Sequence, residues 1–222
     1  MTIESEENSR MYDLESRLKG AMISETEIGI LRFVNEFGFC EINQIMKRFG
    51  MKKSTAYLSM QLLIRLGLVI QARIIQGRRG AYIVTHRGIT LLELDLPQVR
   101  KISLVTYEHH LVVIDVYLKL KDLYPHAVWV SERRLNRTMG SGKNEHLPDG
   151  ALIFPNDIRY AIEIEKSLKA RDRLEKILFG YGLQDTFKEV WYFCSQDVFP
   201  TVKEISNNMP YVKTHNLKEF LS

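Results

Sequence analysis

His146-Leu147-Pro148-Asp149-Gly150-Ala151-Leu152-Ile153-Phe154-Pro155-Asn156-Asp157-Ile158-Arg159-Tyr160-Ala161-Ile162-Glu163-Ile164-Glu165-Lys166 is the segment around which the chain is organised. Two apolar runs, Ala151 to Phe154 and Tyr160 to Ile164, flank a Pro-Asn-Asp cluster, the pattern of a β-hairpin turning near Asn156. That centre sets Asp149 across from Glu163, Ala151 across from Ala161 and Ile153 across from Arg159. Opposed strand residues bring their Cβ atoms to roughly 4.5–5.5 Å, where two like charges repel unless something positive lies between them. Strand alternation sends Ile162 and Ile164 to one face and Glu163 and Glu165 to the other. Three carboxylates gathered on one face offer the hard oxygen ligands that suit Mg²⁺ or Mn²⁺ rather than zinc. The same residues also describe a half-buried strand with glutamates on its wet face, and by themselves they leave both readings open.

Charge separates this segment from the first part of the chain. From Ile42 to Leu92 there is no Asp or Glu, whereas Lys47, Arg48, Lys52, Lys53, Arg65, Arg73, Arg78, Arg79 and Arg87 all fall there. Of 31 basic and 27 acidic residues in all, the rest of the chain therefore keeps 22 basic against 27 acidic, a net charge of −5. Segregation of this kind argues for two domains with different partners, the first facing a polyanion. Cys40 and Cys194 form neither a disulfide framework nor a zinc pattern. The N-terminus is acidic and polar where a signal peptide would be basic and then apolar. No apolar run approaches the roughly 20 residues that span a bilayer. A cytoplasmic protein without membrane association is expected.

Residues 1–23 read as an N-terminal arm or short helix. Ser24 and Glu27 then have the spacing of a capping box before Ile28, Leu31, Val34 and Phe37, and Gly38 closes that helix. A second helix fits Glu41 to Phe49 with Gly50 as its stop. A third fits Ser54 to Leu66, capped by Ser54 and ended by Gly67. Strands over Leu68 to Ile75 and Ala81 to Val84 enclose an arginine-bearing turn, and a short helix follows Thr85. Three helices and a hairpin resemble the winged helix-turn-helix fold of DNA-binding proteins, placed at residues 24–95. The resemblance implies that the third helix enters the major groove and the wing touches the backbone. Lys53, Tyr57, Gln61 and Arg65 share its outward face. Lys52, Lys53, Arg78 and Arg79 suit phosphates, and Tyr57 and Gln61 suit bases. Ordinary surface residues used for contacts between two copies of the chain would look similar.

Leu96-Pro97 marks a junction near residues 95–103, and the second domain is placed at 104–222. Residues 104–123 form the longest helical signal, apolar almost all round and so expected between layers. A strand starts at Ala127 and continues towards Glu132 and Leu135, and Arg137 to Asn144 reads as a loop. After the central hairpin, Leu168 to Tyr181 reads as a helix, Val190 to Cys194 as a buried strand, and Val198 to Asn207 as a helix. The order is that of a mixed α/β (α+β) core.

Pro148-Asp149, a hairpin and Glu163-x-Glu165-Lys166 resemble the PD-(D/E)xK motif of restriction-endonuclease-like nucleases. The resemblance implies a nuclease-like α/β core in which Asp149 and Glu163 hold the metal ion. This sequence departs from the motif at Glu165, which stands where the motif has lysine. Lys166 falls on the opposite strand face, and Lys169 would supply an amine only from the helix that follows. Asp149, Glu163, Glu165, Lys166 and Lys169 are thus the candidate catalytic set.

With His109-His110-Leu111-Val112-Val113-Ile114-Asp115-Val116 and Glu132-Arg133-Arg134-Leu135 added, the order of motifs resembles the replication-relaxation family of plasmid and mobile-element proteins. That family includes the MOBC class of mobilisation relaxases. The resemblance implies a metal-dependent DNA nickase with Mg or Mn, double-stranded DNA as partner, and mobilisation or replication proteins or a second copy of the chain as further partners. It also matches His109 and Asp115 to a helix motif, although six residues turn a helix by about 240°, so the two cannot face one metal. Glu132 would join the acidic face or form a surface ion pair with its arginine neighbours. The alternative is a winged-helix replication or transcription regulator whose nuclease-like domain is not catalytic.

Overall fold

The computed structural model describes residues 23–77, 79–139 and 146–222. The expected N-terminal arm and Arg78 lie outside the described residues, as does most of the expected loop before His146. The chain divides into two units, Met1–Val105 and Thr106–Ser222.

The first unit runs α1 (Glu25–Phe37), α2 (Ile42–Phe49), α3 (Lys53–Arg65), β1 (Val69–Ala72), β2 (Ala81–Val84) and α4 (His86–Leu92). Ser24 caps α1, and the Ser24–Glu27 capping box closes in both directions. Gly38 and Gly50 end α1 and α2 at φ 86° and 60°, the left-handed backbone that glycine adopts at least cost. Ile30, Leu31, Val34, Ile45, Ala56 and Leu63 are wholly inaccessible and form the core between the helices. Glu27 is drawn into that core and accepts a hydrogen bond from Ser59 Oγ at 2.6 Å. Burial opposes its charge, but hydrogen bonds from Ser24 and Ser59 hold its pKa below the ordinary value. β1 and β2 pair antiparallel with Val69 opposite Val84, and Cys40 adds a bridge to Tyr82. Two boundaries differ from the sequence expectation. α3 starts at Lys53 after the extended Lys52, with no side-chain cap, so Ser54 lies inside the first turn. β1 stops at Ala72 rather than Ile75, because the chain leaves the ladder for the turn at Gly77, φ 79°.

The second unit begins on α5 (Leu104–Leu123) and continues β3 (Val128–Ser131), α6 (Glu132–Met139), β4 (Gly150–Ile153), β5 (Arg159–Glu165), α7 (Arg171–Gly182), β6 (Glu189–Cys194), α8 (Phe199–Ile205), β7 (Val212–Asn216) and α9 (Leu217–Leu221). Its five strands form one mixed sheet in the order β3-β4-β5-β6-β7. The first three are antiparallel neighbours, and β5, β6 and β7 run parallel through the crossovers α7 and α8. Ala151 pairs with Ala161 and Ile153 with Arg159, the register set by a turn centred on Asn156. Asp157 completes that turn at φ 59°, a conformation Asp tolerates better than most residues.

Both faces of the sheet are covered. Ala151, Ala161, Tyr192 and Cys194 pack with Leu174, Leu178 and Tyr181 of α7 and Val198 and Val202 of α8. On the other face Tyr160 stacks on Trp191 at 4.8 Å, and Tyr124 from the end of α5 meets Trp191 at 5.7 Å. The expected strand continuation through Glu132 to Leu135 is a helix instead. Ser131 Oγ accepts from Arg134 N at 3.3 Å and starts α6, whose Leu135 turns into the core. β7 and α9, at positions to which the sequence pattern assigned no element, complete the unit. Among the described residues no helix is long and apolar enough to cross a membrane.

Candidate active site

The β4–β5 ladder starts at Gly150 opposite Ile162; Asp149 comes just before it and bonds the Ile164 backbone N–H, while Glu163 and Glu165 share one face of β5. That face is not solvated as a plain strand surface would be. Glu163 is 3 % and Glu165 4 % exposed, because α7 lies over them. Two buried acids so close to Asp149 need compensating partners, and each has them.

Asp149 Oδ1 lies 2.8 Å from His109 Nε2, presented by α5, and Oδ2 accepts from the Ile164 backbone N–H at 2.8 Å. Glu163 Oε1 takes two partners, His146 Nε2 at 2.5 Å and the Tyr181 hydroxyl of α7 at 2.5 Å. Glu165 is paired with Lys169 Nζ. Lys169 precedes α7, so the amine arrives from four residues beyond Glu165 rather than from the strand itself. Lys166 is exposed beyond the end of β5. Asp115 lies about 240° round α5 from His109. Glu132 keeps an exposed side chain at the rim, where crowding by protein atoms and the charges of Asp149 and Glu163 raise its pKa.

The electrostatics follow from burial and pairing. The hydrogen bond to Asp149 raises the pKa of His109 against the cost of its partial burial. Burial works against the charge of His146 too, but the hydrogen bond and charge of Glu163 outweigh it and the pKa rises. Glu163 is itself raised, by burial first and then by the charge of Asp149, in spite of the bonds from His146 and Tyr181. Burial beside Glu163 pushes the Tyr181 hydroxyl well above its usual value, so it stays a donor. The cluster therefore sets two imidazoles, each with a raised pKa, directly against two carboxylates.

Among the described residues no group of three His, Cys, Asp or Glu side chains is arranged to hold a metal ion. Mg²⁺ commonly takes only one or two protein carboxylates and fills the remaining positions with water and substrate phosphate. The oxygen atoms of Asp149 and Glu163 are of that kind, and a cation there would compete with His109 and His146 for them.

His146 and Tyr181 carry much of this geometry, and neither was among the candidates from sequence. Tyr181 stands seven residues after Leu174 and three after Leu178, spacing that reads as an ordinary core stripe. His146, three residues before Asp149, carries no periodic signal.

In the first unit, Lys52, Lys53, Gln61 and Arg65 are exposed and Tyr57 is half-buried, so the outward face of α3 is available. Arg79 is hydrogen-bonded to Asn43 of α2, tying the β1–β2 connection to the helices. No protein-family model matches the chain, and no curated protein does. Among solved structures, one titled "PigF with SAH" is similar at 9 % identity and a TM-score of 0.23, over 97 % of this chain and 66 % of that one. A likeness of that size carries no argument, and the chain spans about 66 % of that structure's length.

Proposed function

We propose that the chain is a DNA-binding protein of a plasmid or mobile element, with a winged helix in its first unit and a nuclease-like core in its second that nicks DNA with Mg²⁺ or Mn²⁺. This is the activity implied by the resemblance to the replication-relaxation family. The observation that supports the enzymatic half is the gathering of Asp149, Glu163 and Glu165 at one end of the β4–β5 hairpin, where His109, His146 and the Lys169 amine bond them. A divalent ion at Asp149 and Glu163 would supply positive charge to a scissile phosphate and lower the pKa of a bound water. Asp149 is oriented for this by the Ile164 N–H, and Glu163 by the Tyr181 hydroxyl. His109 and His146 bond those same carboxylates and would have to give way to the cation. Lys169 restores the amine that the strand lacks.

The DNA half rests on the acid-free stretch from Ile42 to Leu92 and on the exposed basic and amide groups of α3. Lys52 and Lys53 serve phosphates, and Gln61 and Tyr57 base edges. A regulator with a non-catalytic core is the second reading, and one observation favours it. The two histidines and Lys169 already bond the three carboxylates without any cation.

Two measurements test the proposal. Calorimetric titration with Mn²⁺ at pH 8 is expected to give saturable binding in the wild type and none in Glu163→Gln; equal binding in both removes the metal assignment. A gel shift over a salt series is expected to show duplex affinity falling steeply with salt, as phosphate-driven binding must. Salt-independent or absent binding removes the DNA half.

A further inference from the structure

A cavity of about 510 Å³ opens beside the acidic cluster, between the chain entering β4 and the second half of α7. His146 and Tyr181 form part of its wall, and both also reach Glu163 Oε1. The side chains of His146 and Tyr181 thus stand between the cavity and Glu163. Its aromatic lining is ordered edge to face, with His146 and Tyr181 rings 6.1 Å apart and Tyr181 and Phe187 rings 6.2 Å apart. Gln184 adds an amide with both donor and acceptor, and the exposed Lys176 adds a positive charge. At the same end of α7, Phe179 and Leu183 are 59 % and 73 % exposed, leaving apolar surface beside the opening.

Gly180 is the second observation. It lies within α7 and lines the cavity, its φ is not positive, and a Cβ built on it would meet nothing within 4 Å. Neither backbone geometry nor packing requires glycine there, although glycine weakens a helix relative to alanine. It leaves that point of the cavity wall without a side chain.

We propose that this cavity receives one unstacked nucleobase and so seats the adjoining phosphate at Asp149 and Glu163. The proposal rests on the nucleic-acid reading given above and names the part of the substrate that the second unit grips. A volume of this size lies within the ordinary range for small-ligand sites. A base stacked in a duplex cannot enter a cavity, so the occupant is an unpaired or flipped base. Aromatic rings accept any base face, Gln184 can pair with a base edge, and Lys176 can meet the flanking phosphate. Nucleobase chemistry has two sources, a DNA strand or a free nucleotide, and the test separates them.

The full chain is titrated into a single-stranded oligonucleotide carrying one 2-aminopurine among thymines, and separately into 2-aminopurine deoxyriboside monophosphate. Duplex binding is measured in parallel. The expected result is a saturable emission change with the oligonucleotide, weakened about tenfold or more in Gly180→Leu, the scale of one lost base contact. Gly180→Ala, which favours the helix, is expected to weaken it less. Duplex affinity should stay within about twofold in both variants, because the winged helix provides it. A response to the mononucleotide alone overturns the strand assignment. Duplex binding with no emission change, or with a change indifferent to Gly180→Leu, overturns the base site while leaving the wider reading standing. Absence of all nucleic-acid binding overturns both.

Discussion

Removing one oxygen atom, by Tyr181→Phe, tests the electrostatic design of the second unit. The Tyr181 hydroxyl donates at 2.5 Å to Glu163 Oε1, and both residues are buried. Phenylalanine keeps the ring against Phe187 and His146, so little packing is lost. A hydrogen bond to a charged group contributes about 1.5–3 kcal/mol, and that is the expected destabilisation when Glu163 is ionised. When Glu163 is protonated, the bond joins neutral groups and its loss should cost only about 0.5–1.5 kcal/mol. The folded pKa of Glu163 is raised above its unfolded value, so stability falls as pH rises through that interval. The Tyr181 hydroxyl offsets part of that fall, and the variant should therefore lose stability more steeply with rising pH than the wild type. Trp129 and Trp191 are the only tryptophans and both lie in the second unit, so their fluorescence reports its unfolding selectively. With a urea dependence of about 1–3 kcal/mol per molar, the midpoint should drop by about 1 M at pH 8. A drop below about a quarter of that, or one equal at pH 5 and pH 8, would refute the reasoning.

Two further outcomes follow from the same geometry. His109 and His146 have raised folded pKa values, so the stability from their pairs with Asp149 and Glu163 is fully present below the ordinary imidazole value of about 6.5 and is lost as pH rises through the folded values. The wild-type unfolding midpoint should fall between pH 6 and pH 9 and should be flatter in the double variant His109→Gln, His146→Gln; a wild-type midpoint constant over that range contradicts the pairing. Gly150→Ala would drive a Cβ into the Trp129 ring and should destabilise the second unit by about 1–3 kcal/mol or more, read by the same fluorescence. An unchanged midpoint would mean that the β3–β4 packing is looser than described.

Much of the architecture was legible where a single physical rule dominated. The hairpin register followed from symmetry about Asn156, because a one-residue slip would exchange every side chain between faces. The span of α5 followed from its continuous apolar pattern, and the ends of α1 and α2 from glycines in the left-handed region. β7 was missed because Val212-Lys213-Thr214-His215-Asn216 at the sheet edge has only one strongly apolar residue to announce it. α6 was hidden by the β-branched and aromatic run before it, although Ser131 followed by Glu132 is a helix start. Within the site, the placing of Asp149 beside the end of β5 and the common face of Glu163 and Glu165 could be read from the hairpin alone. Their partners could not, since His109, His146 and Tyr181 come from α5, the β4 lead-in and α7, and only tertiary packing brings them together. The separation of Lys169 from Lys166 likewise depends on how the chain leaves β5, which no strand periodicity encodes.

The central claim is that Asp149 and Glu163 form a working centre for cutting DNA rather than a neutralised relic. Incubation of supercoiled plasmid with the full chain and Mg²⁺ or Mn²⁺ tests this most directly, with Asp149→Ala alongside and duplex binding measured for both. The expected result is conversion to open circles by the wild type, no conversion by Asp149→Ala, and duplex affinities that agree within about twofold, as the proposed phosphate contacts of the first unit require. Open circles formed equally by Asp149→Ala, or a wild type that binds duplex yet leaves every plasmid supercoiled with either metal, would contradict it.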